Sequence, residues 1–206
     1  SSTVVFNAST GSYTIASSGA FHNFIVNGTG ATYSASGSID VDGNLGLSAG
    51  TFTAPSSTIT VSGSWTKSAT GSTFLHNSGS VTLDGGDQTI SGSTLFYNLT
   101  KTVTLAQQLT FASGTRQSVS GALTLRGSGS SALLSLRVSQ TGSTAGLRLE
   151  SGSGTQNIAY LDVKDNDATG GNKLICLTGC IDSQNNHNWA FHVITGTLYS
   201  DEGSTA

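Results

Sequence analysis

Apolar and polar positions alternate along this chain with a period of two, in short segments set apart by Gly, Ser and Thr. Examples are Ser38-Ile39-Asp40-Val41-Asp42, Thr58-Ile59-Thr60-Val61, Val81-Thr82-Leu83, Val103-Thr104-Leu105, Leu123-Thr124-Leu125 and Leu147-Arg148-Leu149. Alternation with β-branched residues at the outward positions predicts strands. An amphipathic helix needs apolar residues at i, i+3 and i+4, and no window keeps that pattern.

The spacing of the segments carries more than the segments. Their second apolar residues are Val41, Val61, Leu83, Leu105, Leu125 and Leu149, at intervals of 20, 22, 22, 20 and 24. A period in the twenties marks a solenoid. Each period holds a second apolar cluster, as at Phe52, Phe74, Leu95-Phe96, Leu109 to Phe111 and Leu133 to Val138, so two or three strands per coil are expected. The fold class predicted is all-β, a parallel β-solenoid of about 21 residues per coil, with Val41, Val61, Leu83, Leu105 and Leu125 in one interior column. Gly43, Gly63, Gly85 and Gly127 follow the strands, where positive φ would turn a corner. Pro55 is the only proline, as suits backbone committed to ladders. Nine or ten coils at about 4.8 Å each would give a rod roughly 45 Å long. A β-sandwich is the competing architecture, since it too has many short strands with frequent turns.

Composition narrows the function. Charged residues are 9% of 206, against about 25% in ordinary domains. Ser, Thr and Gly (34, 29 and 27) supply the polarity instead. Leu, Ile, Val and Phe sum to 47, enough with a net charge of −3 to place the chain above the disordered class. Eight Lys and Arg against eleven Asp and Glu give no phosphate-binding field, so nucleic acid is not an expected partner. No apolar run reaches the roughly 18 residues of a membrane span. With no Met and no signal peptide, the chain is expected to be a processed or excised piece of something longer.

Several phrases together resemble a known family. They are Ile39-Asp40-Val41-Asp42-Gly43-Asn44-Leu45, Ser48-Ala49-Gly50-Thr51-Phe52, Ile59 to Trp65, Ser80 to Gly85, Gln88-Thr89-Ile90-Ser91-Gly92 and Phe96-Tyr97-Asn98-Leu99. Phe21-His22-Asn23-Phe24 looks like an earlier copy of the last. The order is similar to the filament-like, right-handed β-solenoid (β-helix) repeats of large bacterial surface and secreted, adhesin-like proteins. Tyr160 to Ala168 and Asn185 to Phe191 resemble the closing coils of such stretches. The resemblance covers residues 1–192 and implies an extracellular structural or adhesive role. Residues 193–206 look like the first strand of a following Ig-like domain, or a strand-like tail for a neighbouring subunit.

Candidate chemistry is sparse. Cys176 and Cys180 have neither the ligand number of a zinc cage nor the C-x2-C redox spacing. A disulfide between them suits an oxidising compartment; two free thiols are the other reading. Asp162, Asp165 and Asp167 place three carboxylates in six residues, a candidate Ca²⁺ site, although no Gly-x5-Glu completes an EF-type loop. The plainer reading is an exposed loop. Carbohydrate-active β-helices need clustered carboxylates with a basic partner. The pairs Asp84/Asp87 and Asp40/Asp42 show no such partner in sequence and read as solvated turns. His22, His76, His187 and His192 have no metal-ligand spacing, and no nucleophile elbow opens a helix. No catalytic residue is assigned and no cofactor is expected. Asn7, Asn27 and Asn98 sit in glycosylation sequons, Asn98 reading better as a packed rung residue. Outward Thr58, Thr60, Thr82, Thr102, Thr104 and Thr124 raise an ice-binding face; the competing reading is the ordinary preference of Thr for strands.

Charge falls into blocks of −3 over residues 1–100, +5 over 101–149 and −5 over 150–206. Arg116 and Arg137 are 21 apart, and Arg126 and Arg148 are 22 apart, so each pair is expected to stack. They would form a basic belt meeting the acidic terminal region of a neighbour. The expected function is a non-enzymatic extracellular filament subunit or adhesive stalk, assembled end to end from copies of itself, with Val193, Ile194, Leu198 and Tyr199 as a clasp. A carbohydrate-binding or carbohydrate-active β-helix, with surface glycans as partners, is the alternative.

Overall fold

Val41, Val61 and Leu83 lie one above another because Ile39–Val41, Thr58–Val61 and Ser80–Leu83 pair in parallel, in direct register. Strands Asn98–Thr102, Ala122–Arg126 and Thr155–Ala159 extend the same ladder to six. The structure is a computed structural model and describes residues 2–16, 18–152 and 154–191. An eleven-stranded sheet runs alongside, from Thr3–Phe6 through Leu45–Thr53, Gln107–Phe111 and Leu134–Val138 to Ile181–Asp182. A four-stranded sheet, Thr94–Phe96 to Asn166–Asp167, forms the third face. A short pair, Leu174–Cys176 with Trp189–Phe191, lies near the C-terminal end.

The result is a parallel β-solenoid of about eight turns and about 22 residues per turn, without helix among the described residues. Every paired strand runs parallel to its partner, which excludes the sandwich. The coil number is therefore lower than the nine or ten expected from the sequence, because several turns carry insertions. Residues 193–206 lie outside the described residues.

One expected column position is corrected. Leu105 lies outside the strands and is 70% exposed. Its place in the column belongs to Lys101, which pairs with Leu125 and is fully buried. The register advances only 18 residues from Val81 to Leu99, so the next inward position is reached four residues early. Leu149 belongs to a different face, where it pairs with Val119.

Glycine also acts differently from expectation. Gly43, Gly63, Gly85 and Gly127 do not have positive φ. They are glycines because neighbouring coils press on them: a Cβ on Gly85 would sit 1.8 Å from the Ser62 carbonyl oxygen. The positive-φ corner is a second column, Gly30, Gly50, Gly71 and Gly92, with φ of 77–83°. It bends the chain from the long sheet toward the third face.

Asparagines stitch the coils at another corner. Asn23 Oδ1 accepts from the Asn44 N–H, and Asn44 Oδ1 accepts from the Ser64 N–H, both at 2.8 Å. Asn98 Oδ1 accepts from the Ala122 N–H at 2.7 Å in the same way. Each side chain satisfies a backbone donor that the turn leaves out of the ladder. The interior of the first coils is aromatic: Phe24, Phe52, Trp65, Phe74 and Phe96 pack with ring centroids 5.0–6.2 Å apart.

Candidate functional site

Lys101 is the buried cation of the described residues. Its aliphatic stem continues the apolar column, and its Nζ donates to Gly85 O, Gly86 O and Gln88 Oε1 at 3.0, 2.9 and 2.6 Å. Gln88 is buried too, and its Nε2 donates to Val61 O and Gly63 O. The network therefore joins three successive coils. Burial lowers the Lys101 pKa to about 8, while the Asp87 and Asp84 carboxylates act to raise it. The Asp84/Asp87 turn thus has a basic partner that the sequence did not reveal. Lys101 lies beneath the turn with no solvent exposure, so it braces the Gly85-Gly86 backbone instead of facing a substrate. Asp84 accepts from Ser62 Oγ, and Asp87 accepts from the Gln108 N–H.

The three carboxylates of the candidate Ca²⁺ site diverge. Asp162 lies on the long sheet, bound by Arg137 and accepting from Ser183 Oγ. Asp165 is buried at a corner with φ 60° and accepts from Asn185 Nδ2. Asp167 lies on the four-stranded sheet and accepts from the Thr169 N–H. The chain turns from one face to the next between them. Among the described residues no three His, Cys, Asp or Glu side chains gather into a metal-binding group. Burial works to raise the Asp167 pKa, but hydrogen bonds from Thr169, with Arg116 and His187 nearby, outweigh it and hold the carboxyl below its ordinary value. Cys176 and Cys180 form a disulfide, Cα–Cα 5.9 Å, that closes the loop after Leu174–Cys176.

The arginines do not stack as their spacing suggested. Arg126 projects from the six-stranded sheet toward Asn157, and Arg137 from the long sheet toward Asp162. Arg116 and Arg148 share the four-stranded sheet. Insertions explain the regrouping: paired positions lie 27 residues apart at Leu109 and Leu136, and 30 apart at Gln117 and Leu147. No continuous basic belt results. The +5 and −5 blocks meet inside one molecule instead, as Arg137–Asp162, Arg148–Glu150 and, at 3.8 Å, Arg116–Asp167. Val193, Ile194, Leu198 and Tyr199 lie outside the described residues, as does His192.

Arg116 and Arg148 border the largest surface cleft described, about 430 Å³, on the outer side of the four-stranded sheet. Ser93, Leu95 and Ser118 form its floor, with Glu150 at the edge beside Arg148. Gly146, between Arg116 and Asp167 in the ladder, makes room for the arginine. A Cβ there would meet Arg116 Cγ at 2.8 Å. The alternation rule placed Arg116 and Arg148 outward; only the lengths of the insertions brought them together.

The threonine array also regroups. Thr60, Thr82, Thr100 and Thr124 form one ladder, whereas Thr102 pairs with Arg126 and Thr104 lies outside the strands. Asn98 is a packed rung residue, its Nδ2 donating to Ser80 Oγ. No family model, no curated protein and no solved structure matches the chain.

Proposed function

We propose that this chain is a non-enzymatic, extracellular structural solenoid of a bacterial cell surface, a filament subunit or adhesive stalk that stacks end to end on copies of itself. The observation that carries this is the first rank of the long sheet. Thr3–Phe6 pairs on one side only, with Asn23–Ala35, and exposes Val4 and Val5, with Tyr13 exposed on the neighbouring strand. An unpaired parallel edge beside apolar side chains is a template for another strand. A head-to-tail contact of this kind propagates. Low charge and a disulfide fit an oxidising, crowded surface. In this reading residues 193–206 are the clasp that reaches the next subunit.

Electron microscopy and sedimentation velocity over a range of concentrations test it. Filaments or concentration-dependent oligomers are expected, and Val5→Lys, at an exposed position, abolishes them without lowering thermal stability. A wild-type chain that stays monomeric at high concentration overturns the proposal.

A further inference from the structure

We infer that the cleft on the four-stranded sheet binds an acidic sugar, a saccharide carrying a ring carboxylate. The argument begins with two guanidinium groups. A Cβ on Gly170 would lie 3.4 Å from Arg148 Nη1 and 3.7 Å from Arg116 Nη1, so both cations converge on one place. Like charges are brought together there by the register, since Arg148 stands beside Ser118, two positions beyond Arg116. Glu150 takes the Nε and Nη2 of Arg148 and fixes the plane of its guanidinium. Among the described residues, Nη1 of Arg148 has no hydrogen-bond partner. Arg116 is anchored by Nη1 on Thr169 O, and its side chain is 41% exposed. Two oriented, solvent-facing guanidinium groups suit a planar carboxylate.

The rest of the cleft selects the body that bears the carboxylate. Ser93 and Ser118 offer small hydroxyls, each able to donate and accept. Leu95, 45% exposed, offers an apolar surface of the kind that covers the C–H face of a sugar ring. Both serines stand on rigid strand ends or within a strand, not on long loops. A volume of about 430 Å³ falls in the size range of ligand clefts. Hydroxyls, one apolar patch and a paired cation match a uronic acid residue better than an acidic peptide, which presents carboxylates but few hydroxyls. This inference is independent of end-to-end assembly.

The test is a calorimetric and NMR titration of the full chain with trigalacturonate, maltotriose and tetraglutamate in parallel. Trigalacturonate is expected to saturate, with shifts confined to strands Thr94–Phe96, Arg116–Val119 and Ala145–Leu149. Maltotriose and tetraglutamate are each expected to bind at least about tenfold more weakly, the loss expected for one charge-assisted hydrogen bond or more. Arg116→Gln and Arg148→Gln, checked for an unchanged melting curve, should each weaken trigalacturonate by about tenfold or more. Added salt should weaken it further. Three results would overturn the inference: no saturation by trigalacturonate at millimolar concentration, equal binding of maltotriose or tetraglutamate, or undiminished binding by the Arg116→Gln/Arg148→Gln double variant.

Discussion

From Phe24 to Trp65 the register of the long sheet advances by 21 and then 20 residues per turn; from Leu109 to Leu161 it advances by 27 and 25. The first region is filled by Phe24, Phe52, Trp65 and Phe74, and its corners are held by asparagine side chains and close-packed glycines. The second is filled by Leu109, Leu123, Leu134, Leu136, Leu147 and Leu161, and is tied across coils by Arg137–Asp162 and Arg116–Asp167. Equal coils let backbone meet backbone directly, so uncharged groups suffice. Unequal coils bring side chains out over the insertions, and charged side chains bridge what the backbone no longer reaches. The second region consequently carries the cleft, while the first presents a regular surface.

The sharpest way to break this contrast is to add one methyl group. Gly85→Ala puts a Cβ 1.8 Å from backbone at Ser62, and both partners are fixed by ladders. A loss of about 4 kcal/mol or more in urea unfolding is expected. Gly142→Ala in the second region meets nothing within 4 Å and carries only the cost of its positive φ of 81°, about 1 kcal/mol. Equal losses would show that backbone stacking does not distinguish the regions.

Next in size is the pH response of Lys101, which joins the two. Its folded pKa of about 8 lies below the ordinary 10.5, so the unfolded chain binds more protons between those values. Stability should therefore rise across that window, by about 3 kcal/mol at most, as the cost of burying the ammonium is relieved. The comparison is urea midpoints for the wild type and Lys101→Met, which cancels the other groups that titrate there. Parallel profiles would show that Lys101 does not titrate across this window.

The smallest effect expected is local. Arg137→Met removes the ion pair with Asp162 and the bond to Asp162 O, at a cost of about 1 kcal/mol. Amide exchange should quicken around Leu161–Val163 and Ile181–Asp182 and stay unchanged at Thr58–Val61. A uniform change along the chain would mean that the coils unfold as one unit.

The difference between the regions also explains what the sequence made legible. Val41, Val61 and Leu83 could be stacked on paper because the coils between them are equal. Extending that period to Leu105 failed, since alternation treats a lysine as an outward residue. Only the nearness of the Gly85 and Gly86 carbonyls makes an inward ammonium tolerable. The arginine pairs failed for a related reason. A constant period cannot assign a face once insertions of several residues intervene, as between Leu123 and Gln156, 33 residues apart in sequence yet directly paired. The column Gly30, Gly50, Gly71 and Gly92 is visible in the sequence as a 20–21-residue spacing, and that column, not the glycines that follow the strands, marks the positive-φ corner.

The Asn23–Asn44–Ser64 stitch has a further consequence. Each coil there meets the next through groups that do not depend on its neighbours' identity, so its free energy is close to a sum of nearest-neighbour contributions. Tandem duplication of one such coil would give the new copy the same contacts above and below, and lengthen the rod by about 4.8 Å. The same duplication between Arg137 and Asp162 would pull an ion pair apart. The N-terminal region is thus where a lineage could tune reach by copying, and the C-terminal region is where it must hold the pattern fixed.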